Sequence, residues 1–356
     1  MSLRSLLFLG LLSIPGAVVL PSAAAAEEGV IQSEFVVEQP PLPASHSPTI
    51  VETRDGILLA AWIGGSQNRA LDAGVWMARY ESNQWSAPVE VLQGFGENGL
   101  RRFPCWNPVL FQPKFGPLLL FYKVGPTPEG WWGLVTTSDN QGVSWSASKQ
   151  LPKNYWGPIR NKPVELPEAI LLCGSSTEDA GWRVHMEWMR SPGRDFGRTA
   201  SLNTARELAA IQPTILLHRL DRIQILCRTK QGRIVESWSK DRGRTWSPLQ
   251  RTELPNPNSA IDAVLLRDGR SLLVYNHSTD DRGYLNVALS ADGSAWEAAA
   301  VLESRPGDEY SYPAVIQTRD QLVHIVYSWK RERIKHVVLD PARLRPRPIV
   351  DGEWPR

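Results

Sequence analysis

The stretch Ser239–Trp246, SKDRGRTW, has the form S-x-D-x-G-x-T-W and decides the fold, because related stretches recur along the chain. Ser138–Trp145 repeats it with Asn in the Asp position, Ser290–Trp296 is one residue shorter, and Ser191–Phe196 is a worn copy. The aromatic ends are separated by 51, 50 and 50 residues. In such a turn the acid or amide accepts backbone N–H groups, Gly permits a positive φ, and Trp folds into an apolar layer. We therefore expect structural turns and not ligand contacts.

A second repeat runs in phase with these turns and consists of two apolar runs joined by a short turn. Its six copies are anchored at Pro48, Pro108, Pro163, Pro213, Ala263 and Pro313. Turns such as Asp55-Gly56 are typical of β-hairpins. Further strand-like runs, such as Arg233–Ser239, follow the hairpins, and four strands in about 50 residues are typical of a propeller blade. The sequence therefore predicts an all-β, six-bladed β-propeller with four-stranded antiparallel blades over residues 41–340.

The regions outside the repeats have different compositions. Arg4, an apolar run over residues 6–20 and small residues over 22–26 predict a cleaved signal peptide at 1–26. An uncleaved anchor helix is the alternative, although the apolar run is short for a membrane span. We expect a linker at 27–40, a C-terminal tail at 341–356, and a periplasmic or secreted protein without a membrane span after cleavage.

Charge and motif content limit the partners. The formal net charge is +2 over 356 residues, which does not indicate a nucleic-acid partner. The six His and three Cys residues show no zinc-site spacing, and no acidic cluster has the spacing of a calcium loop. We expect neither a metal nor a cofactor.

The S-x-D-x-G-x-T-W turns, in phase with the hairpins, resemble the Asp-box (BNR) repeats of the sialidase, or neuraminidase, superfamily. The strands HSPT, CWNPVLF, NKPVELP and YSYPAVIQ resemble its bacterial branch of sialidase-like proteins. The resemblance implies a glycosidase acting on the terminal acidic sugar of a glycan. In that chemistry arginines clamp the sugar carboxylate, a Tyr activated by a Glu is the nucleophile, and an Asp is the acid–base.

The resemblance also implies roles for individual residues. Asp72, in the loop after the first hairpin, takes the place of the acid–base. Arg228 and Arg282 take the places of the second and third arginines. Tyr310, 28 residues after Arg282, takes the place of the nucleophile.

Two positions depart from the family pattern. His46 stands where the family has its first arginine, and Gln212 stands where it has the Glu that activates the Tyr. Gln212 cannot take a proton from a phenol. His46 could replace this base if ring closure brings it to Tyr310. Glu165 is another candidate base, whereas side-chain alternation is expected to turn Glu309 away.

Other residues occupy equivalent ends of the hairpins and are expected around the same rim as substrate-binding groups. They are Trp106, Asn107, Arg160, Lys162 and Tyr312. Hydrolysis is the default activity, lysis of a uronic-acid linkage is one alternative, and a non-catalytic propeller that binds acidic glycans is another. The enzyme hypotheses place Asp72, Arg228, Arg282, Tyr310 and His46 in one axial cavity.

Overall fold

The computed structural model describes residues 28–96, 99–179, 181–190, 193–204 and 206–355. Within these residues, antiparallel sheets form a six-bladed β-propeller, which confirms the predicted fold class. The predicted signal peptide at 1–26 lies outside the described residues.

The strands follow the blades in chain order. The first strand is β1 (Val30–Phe35). Blade 1 contains β2 (Ala44–Glu52), β3 (Leu58–Gly65), β4 (Gly74–Glu81), β5 (Gln84–Trp85) and β6 (Val89–Leu92). Blade 2 contains β7 (Cys105–Phe111), β8 (Leu118–Val124), β9 (Trp132–Ser138) and β10 (Lys149–Gln150). Blade 3 contains β11 (Val164–Leu166), β12 (Ile170–Thr177), β13 (Arg183–Arg190) and β14 (Arg194–Arg198).

The remaining strands complete the ring. Blade 4 contains β15 (Ala210–Leu217), β16 (Ile223–Thr229), β17 (Arg233–Ser239) and β18 (Gln250–Pro255). Blade 5 contains β19 (Asp262–Leu265), β20 (Ser271–Tyr275), β21 (Tyr284–Ser290) and β22 (Glu297–Ser304). Blade 6 contains β23 (Tyr310–Gln317), β24 (Val323–Trp329) and β25 (Arg333–Leu339), and β26 (Arg347–Pro348) follows. Short 3₁₀ turns lie at Pro167–Ala169 and Arg219–Asp221. The first strand of each blade lies nearest the axis, where β2 contacts both β7 and β23.

The two ends of the described chain both join the propeller. Strand β1 pairs with β25 and supplies the fourth strand of blade 6, so the segment predicted as a linker at 27–40 contains a blade strand. Pairing with β1 satisfies backbone groups that would otherwise form an open sheet edge. Strand β26 pairs with β22, so part of the predicted tail at 341–356 extends blade 5.

The Asp-box turns are structural, as predicted. The carboxylate of Asp241 accepts the backbone N–H groups of Arg244 and Thr245 and the Thr245 hydroxyl at 3.1, 2.9 and 2.6 Å. Slight burial opposes its charge, but the Thr245 hydrogen bonds prevail and lower the pKa of Asp241 to about 2. Gly243 has φ +84°, and a Cβ there would lie 2.9 Å from Leu172 of blade 3. The turn therefore holds its blade against the preceding one.

Arg160 connects three blades at the centre of the ring. It precedes blade 3 and is 1% exposed. Its Nη1 donates to the carbonyl of Pro48 at 2.8 Å, and its Nη2 donates to the carbonyls of Tyr312 and Pro313 at 2.5 and 2.6 Å. Burial lowers its pKa to about 10, which still leaves it charged at neutral pH. Arg160 was predicted on the substrate rim, but all of these contacts are with the protein.

Lys162 was also predicted on the rim and instead forms a second central contact. Its Nζ donates to the Asp262 carboxylate at 2.9 Å and to the Ala263 carbonyl at 2.8 Å, across to blade 5. Asp262 also accepts from the Thr214 hydroxyl and the Val315 N–H at 2.8 and 2.9 Å. Together these bonds join blades 3, 4, 5 and 6.

Replacing Arg160 tests the central contact. We expect Arg160→Met to lower the free energy of unfolding by about 3 kcal/mol, because buried carbonyls lose their donors. The control is Arg242→Met, which removes an exposed pair with Asp221 and should cost less than about 1 kcal/mol. Urea unfolding measures both values, and equal stability of the two variants would contradict the structural role of Arg160.

Candidate active site

A cavity of about 260 Å³ opens where the inner strands meet. Seven of the predicted site residues line it, namely His46, Trp106, Asn107, Gln212, Arg228, Arg282 and Tyr312. It is also lined by residues that the sequence analysis did not single out, among them Arg69, Trp131, Glu178, Trp182, Asn258 and Arg331. Asp72, Tyr310, Arg160, Lys162 and Glu165 are not among the lining residues.

Repeated β-bulges aim side chains into this cavity. Ser47, Asn107, Gln212 and Tyr312 each precede the anchoring proline of a blade, and their φ angles are +55°, +42°, +56° and +57°. Strand pairing shifts at each of these positions. A non-glycine residue in this conformation costs about 1–3 kcal/mol, and such strain is common at functional sites. All four residues line the cavity.

The phenol in the cavity belongs to Tyr312 and not to Tyr310. Tyr310 is 1% exposed, packs in the core between blades 5 and 6, and donates its hydroxyl to Asp308 at 2.9 Å. Burial and this bond raise the pKa of Tyr310. The bulge between Ser311 and Ala314 interrupts the alternation of side chains and directs Tyr312 to the axis. This geometry does not place Tyr310 where the nucleophile was expected.

Tyr312 lies among positive charges. Its hydroxyl lies 3.4 Å from Nη1 of Arg228, which donates to it. Burial opposes ionisation, but the charges of Arg228 and Arg282 outweigh burial and lower the pKa of Tyr312. A phenol with a lowered pKa is a better nucleophile at neutral pH than an ordinary tyrosine.

Asn258 fixes two of the arginines. Its side-chain oxygen accepts from Nη2 and Nε of Arg228 at 2.7 and 3.1 Å. Its backbone carbonyl accepts from both Arg228 and Arg282, the latter bond being 2.7 Å long. The two guanidinium groups are thus oriented before any ligand arrives.

Glu309 fixes the third arginine. Its carboxylate forms a two-bond pair with Arg331 at 2.8 Å for each bond, and it also accepts from Arg282 at 3.0 Å. Burial disfavours its charge, yet the Arg331 hydrogen bonds and charge lower the pKa of Glu309 to about 2. Glu309 is not among the residues that line the cavity, and its carboxylate instead holds Arg282 and Arg331. Arg331 was missed because it lies in the β24–β25 turn, which ring closure brings beside β2.

His46 packs against Tyr312. The two ring centroids are 4.2 Å apart, and no hydrogen-bond partner for the buried Nδ1 of His46 lies among the described residues. Burial, followed by the charge of Arg331, lowers the pKa of His46 well below its ordinary value. His46 is therefore neutral at pH 7, and it lies at Tyr312 and not at Tyr310 as predicted.

The two carboxylates predicted for the site have other partners. Asp72 accepts the Ser66 N–H through both oxygens, at 3.2 and 3.1 Å, and the Ser66 hydroxyl at 3.0 Å, which closes the loop. Glu165 accepts the N–H of Lys114 at 2.7 Å, from a loop of blade 2. Neither residue is among those that line the cavity.

Tryptophan side chains form one wall of the cavity. Trp106 donates its indole N–H to the carbonyl of Gly125 at 2.8 Å and packs edge-on against Trp131. The guanidinium of Arg69 lies 5.7 Å from the Trp106 ring, and that of Arg228 lies 5.4 Å from the Trp182 ring. Aromatic faces beside fixed cations can hold the apolar face of an acidic sugar.

Glu178 is the one acidic side chain among the described residues that line the cavity. It follows β12 of blade 3. Burial raises the pKa of Glu178, while Arg228 opposes this shift without cancelling it.

In the described part of the chain there is no group of three or more His, Cys, Asp or Glu residues arranged for a metal. That same part contains no helix with the length and hydrophobicity of a membrane span.

Fold and site together define a six-bladed propeller with an arginine-lined axial cavity. The BNR repeat-like domain matches residues 56–325, and the chain belongs to that family. A search of curated proteins found no significant match.

Solved structures share the fold at low sequence identity. A protein of unknown function from Dyadobacter fermentans is 14% identical with a TM-score of 0.72, over 89% of this chain and 99% of its own. The NanB sialidase of Streptococcus pneumoniae is 13% identical with a TM-score of 0.69, over 89% and 71%. An α-L-arabinanase of Penicillium chrysogenum is 16% identical with a TM-score of 0.66, over 89% and 99%. The chain thus has a propeller scaffold of the type found in glycosidases.

A spectroscopic titration tests whether the pKa of Tyr312 is lowered while that of Tyr310 is not. Because the arginines lower the pKa of Tyr312, it should form phenolate at a lower pH than an ordinary tyrosine. We expect the earliest phenolate absorbance to disappear in Tyr312→Phe and to remain in Tyr310→Phe. If both variants titrate like the wild type, Tyr312 is not perturbed as described.

Proposed function

We propose that the protein is an exported glycoside hydrolase that cleaves a terminal acidic sugar, a sialic acid or a related sugar, from a glycan. One observation carries the proposal: four arginines, Arg69, Arg228, Arg282 and Arg331, and the phenol of Tyr312 line a single axial cavity. The NanB sialidase and the arabinanase support it only through their fold, so the chemistry rests on the cavity itself.

The arginines suit a carboxylate. Arg228, Arg282 and Arg331 present planar donor groups that match two carboxylate oxygens, and Asn258 and Glu309 hold them in place. Glu309 offsets one of these charges, which leaves an excess of positive charge for an anionic ligand. The volume of about 260 Å³ is close to the lower end for small-molecule sites, ~300 Å³, and favours a chain-terminal sugar.

Tyr312 is the proposed nucleophile in place of Tyr310. A negative carboxylate nucleophile would be repelled by the sugar carboxylate, whereas a phenol can attack as it loses its proton. Arg228 stabilises the resulting phenolate, and the neutral His46 ring packs against the Tyr312 ring. The lowered pKa of Tyr312 favours its ionisation without the Glu that Gln212 replaces.

Lysis of a uronic-acid linkage is the second candidate. The contact between neutral His46 and Tyr312 favours it, because such a pair beside carboxylate-binding arginines can abstract a proton next to a carboxyl group. A propeller that only binds acidic glycans would need the arginines alone.

The experiment that decides among these candidates is a product assay. Purified protein lacking residues 1–26 is incubated with fluorogenic sialosides, uronide glycosides and polyuronides. Hydrolysis releases the fluorophore, lysis creates an ultraviolet-absorbing double bond, and binding without either product identifies a non-catalytic propeller.

Export is tested separately by cell fractionation and N-terminal sequencing. A protein in the cytoplasm that still begins at residue 1 would contradict export.

Two tyrosine variants test the nucleophile. We expect Tyr312→Phe to lower kcat at least about a thousandfold, as losing a nucleophile commonly does. Tyr310→Phe should retain near wild-type turnover, because its hydroxyl contacts Asp308 away from the cavity. Steady-state kinetics on the best substrate make the comparison, and the reverse ranking would restore Tyr310 as the nucleophile.

Two arginine variants of blade 6 test the clamp. Arg331→Met should raise KM about ten- to a hundredfold, the effect of losing a charge-assisted pair with the substrate. Arg333→Met is the matched control, since Arg333 stacks on Phe35 and Trp329 outside the cavity. Equal KM values in the two variants would exclude Arg331 from the clamp.

A further inference from the structure

The proposed reaction needs a group that protonates the departing sugar, and the cavity restricts the choice. Asp72, which the family resemblance implies, directs both carboxylate oxygens at Ser66. Glu309 is held ionised by Arg282 and Arg331, so it carries no proton to donate near neutral pH. His46 is buried, beside Arg331, and neutral. Among the described lining residues, Glu178 is the remaining acid.

Glu178 has the surroundings of a proton donor. It lies just beyond β12 and lines the cavity together with Trp182. The charged groups that act on it are Arg228, Lys230 and Glu129, of which Glu129 favours the protonated form and the two cations oppose it. Because partial burial outweighs the cations, the carboxyl group keeps its proton to a higher pH than a solvated glutamate. A bound sugar carboxylate would strengthen that tendency.

Arg228 connects Glu178 to the proposed nucleophile. Its guanidinium donates to the Tyr312 hydroxyl and lies 5.4 Å from the Trp182 ring, while its charge also acts on Glu178. The acid and the phenol therefore belong to one cluster that includes the guanidinium expected to bind the sugar carboxylate. A sugar held by Arg228 would have both groups beside it.

We propose that Glu178 is the general acid–base of this site, an inference that rests on the proposed hydrolysis. Before the first step the Tyr312 hydroxyl loses its proton to water, and Arg228 stabilises the phenolate. In the first step the phenolate oxygen bonds to the anomeric carbon as the glycosidic C–O bond breaks. The electron pair of that bond stays on the leaving oxygen, which takes the Glu178 proton. In the second step the Glu178 carboxylate takes a proton from water, the water oxygen bonds to the anomeric carbon, and the Tyr312 oxygen leaves.

The test compares two leaving groups on one acidic sugar. With a sugar alcohol as leaving group, Glu178→Gln should lower kcat/KM about a hundred- to ten-thousandfold, the usual contribution of a general acid. With a nitrophenol, which departs without protonation, the loss should be less than about tenfold. The basic limb of the pH profile should also disappear from the variant. Glu165→Gln is the matched control outside the cavity and should behave as wild type with both substrates.

The possible outcomes separate a failure of the proposed hydrolysis from a failure of the role assigned to Glu178. Wild-type protein that turns over neither substrate overturns the proposed hydrolysis itself. Wild-type turnover with equal losses for both leaving groups overturns the role of Glu178 alone, and a selective loss in Asp72→Asn would return the role to Asp72. To separate chemistry from folding, Glu178→Ala is assayed with added formate. Restored cleavage of the sugar alcohol substrate supports the proposal, and no rescue in a variant with a native unfolding midpoint contradicts it.

Discussion

The bonds from Arg160 to the carbonyls of blades 1 and 6 hold together both the ring and its cavity. A bulge before an anchoring proline interrupts strand pairing, and the free carbonyls must find donors inside the protein. Arg160 supplies those donors to Pro48, Tyr312 and Pro313, at the two bulges beside the blade 6–blade 1 closure. The same bulges aim Ser47 and Tyr312 at the cavity. The contact that stabilises the ring therefore also stabilises the strained backbone that the site requires.

The second constraint is electrostatic. Like charges around one cavity repel one another, and Arg228, Arg282 and Arg331 are each held by a neutral or acidic partner. Asn258 holds Arg228 and Arg282, and Glu309 holds Arg282 and Arg331. Donors fixed in this way need no reorganisation when negative charge develops, which is the main source of electrostatic catalysis. The same field lowers the pKa of Tyr312 and contributes to keeping His46 neutral.

The sequence was sufficient for the fold because its two repeats are in phase and local: each turn and hairpin is specified by neighbouring residues. Contacts between distant segments were harder to predict. The pairing of Val30–Phe35 with β25 depends on ring closure, so the local sequence pattern predicts a linker there and not a strand. Arg331 reaches the site through the same closure, and Glu178 reaches it from a loop whose path the repeats do not define.

The position of the site was predictable from the equivalent ends of the hairpins, but the nucleophile was not. Arg228, Arg282 and Tyr312 line the cavity as expected, whereas Tyr310 lies in the core because the bulge directs Tyr312 to the axis. A usable signal existed, because Tyr312 precedes Pro313 just as Gln212 precedes Pro213, and residues before these prolines share one conformation. The position before the anchoring proline therefore indicates Tyr312 as the residue of blade 6 that enters the cavity.

The replacements at His46 and Gln212 can be compared with the other ionisable residues of the cavity. Relative to the family pattern, His46 removes one positive charge and Gln212 removes one negative charge. Arg331 supplies a cation beside β2, and Glu178 supplies an acid beside Arg228, each from a different blade. Both replaced groups therefore have counterparts on other blades, of which Glu178 carries no charge in its protonated form. In a closed ring, charged side chains from several blades can line one cavity, so the position of a charge in space does not depend on a single strand.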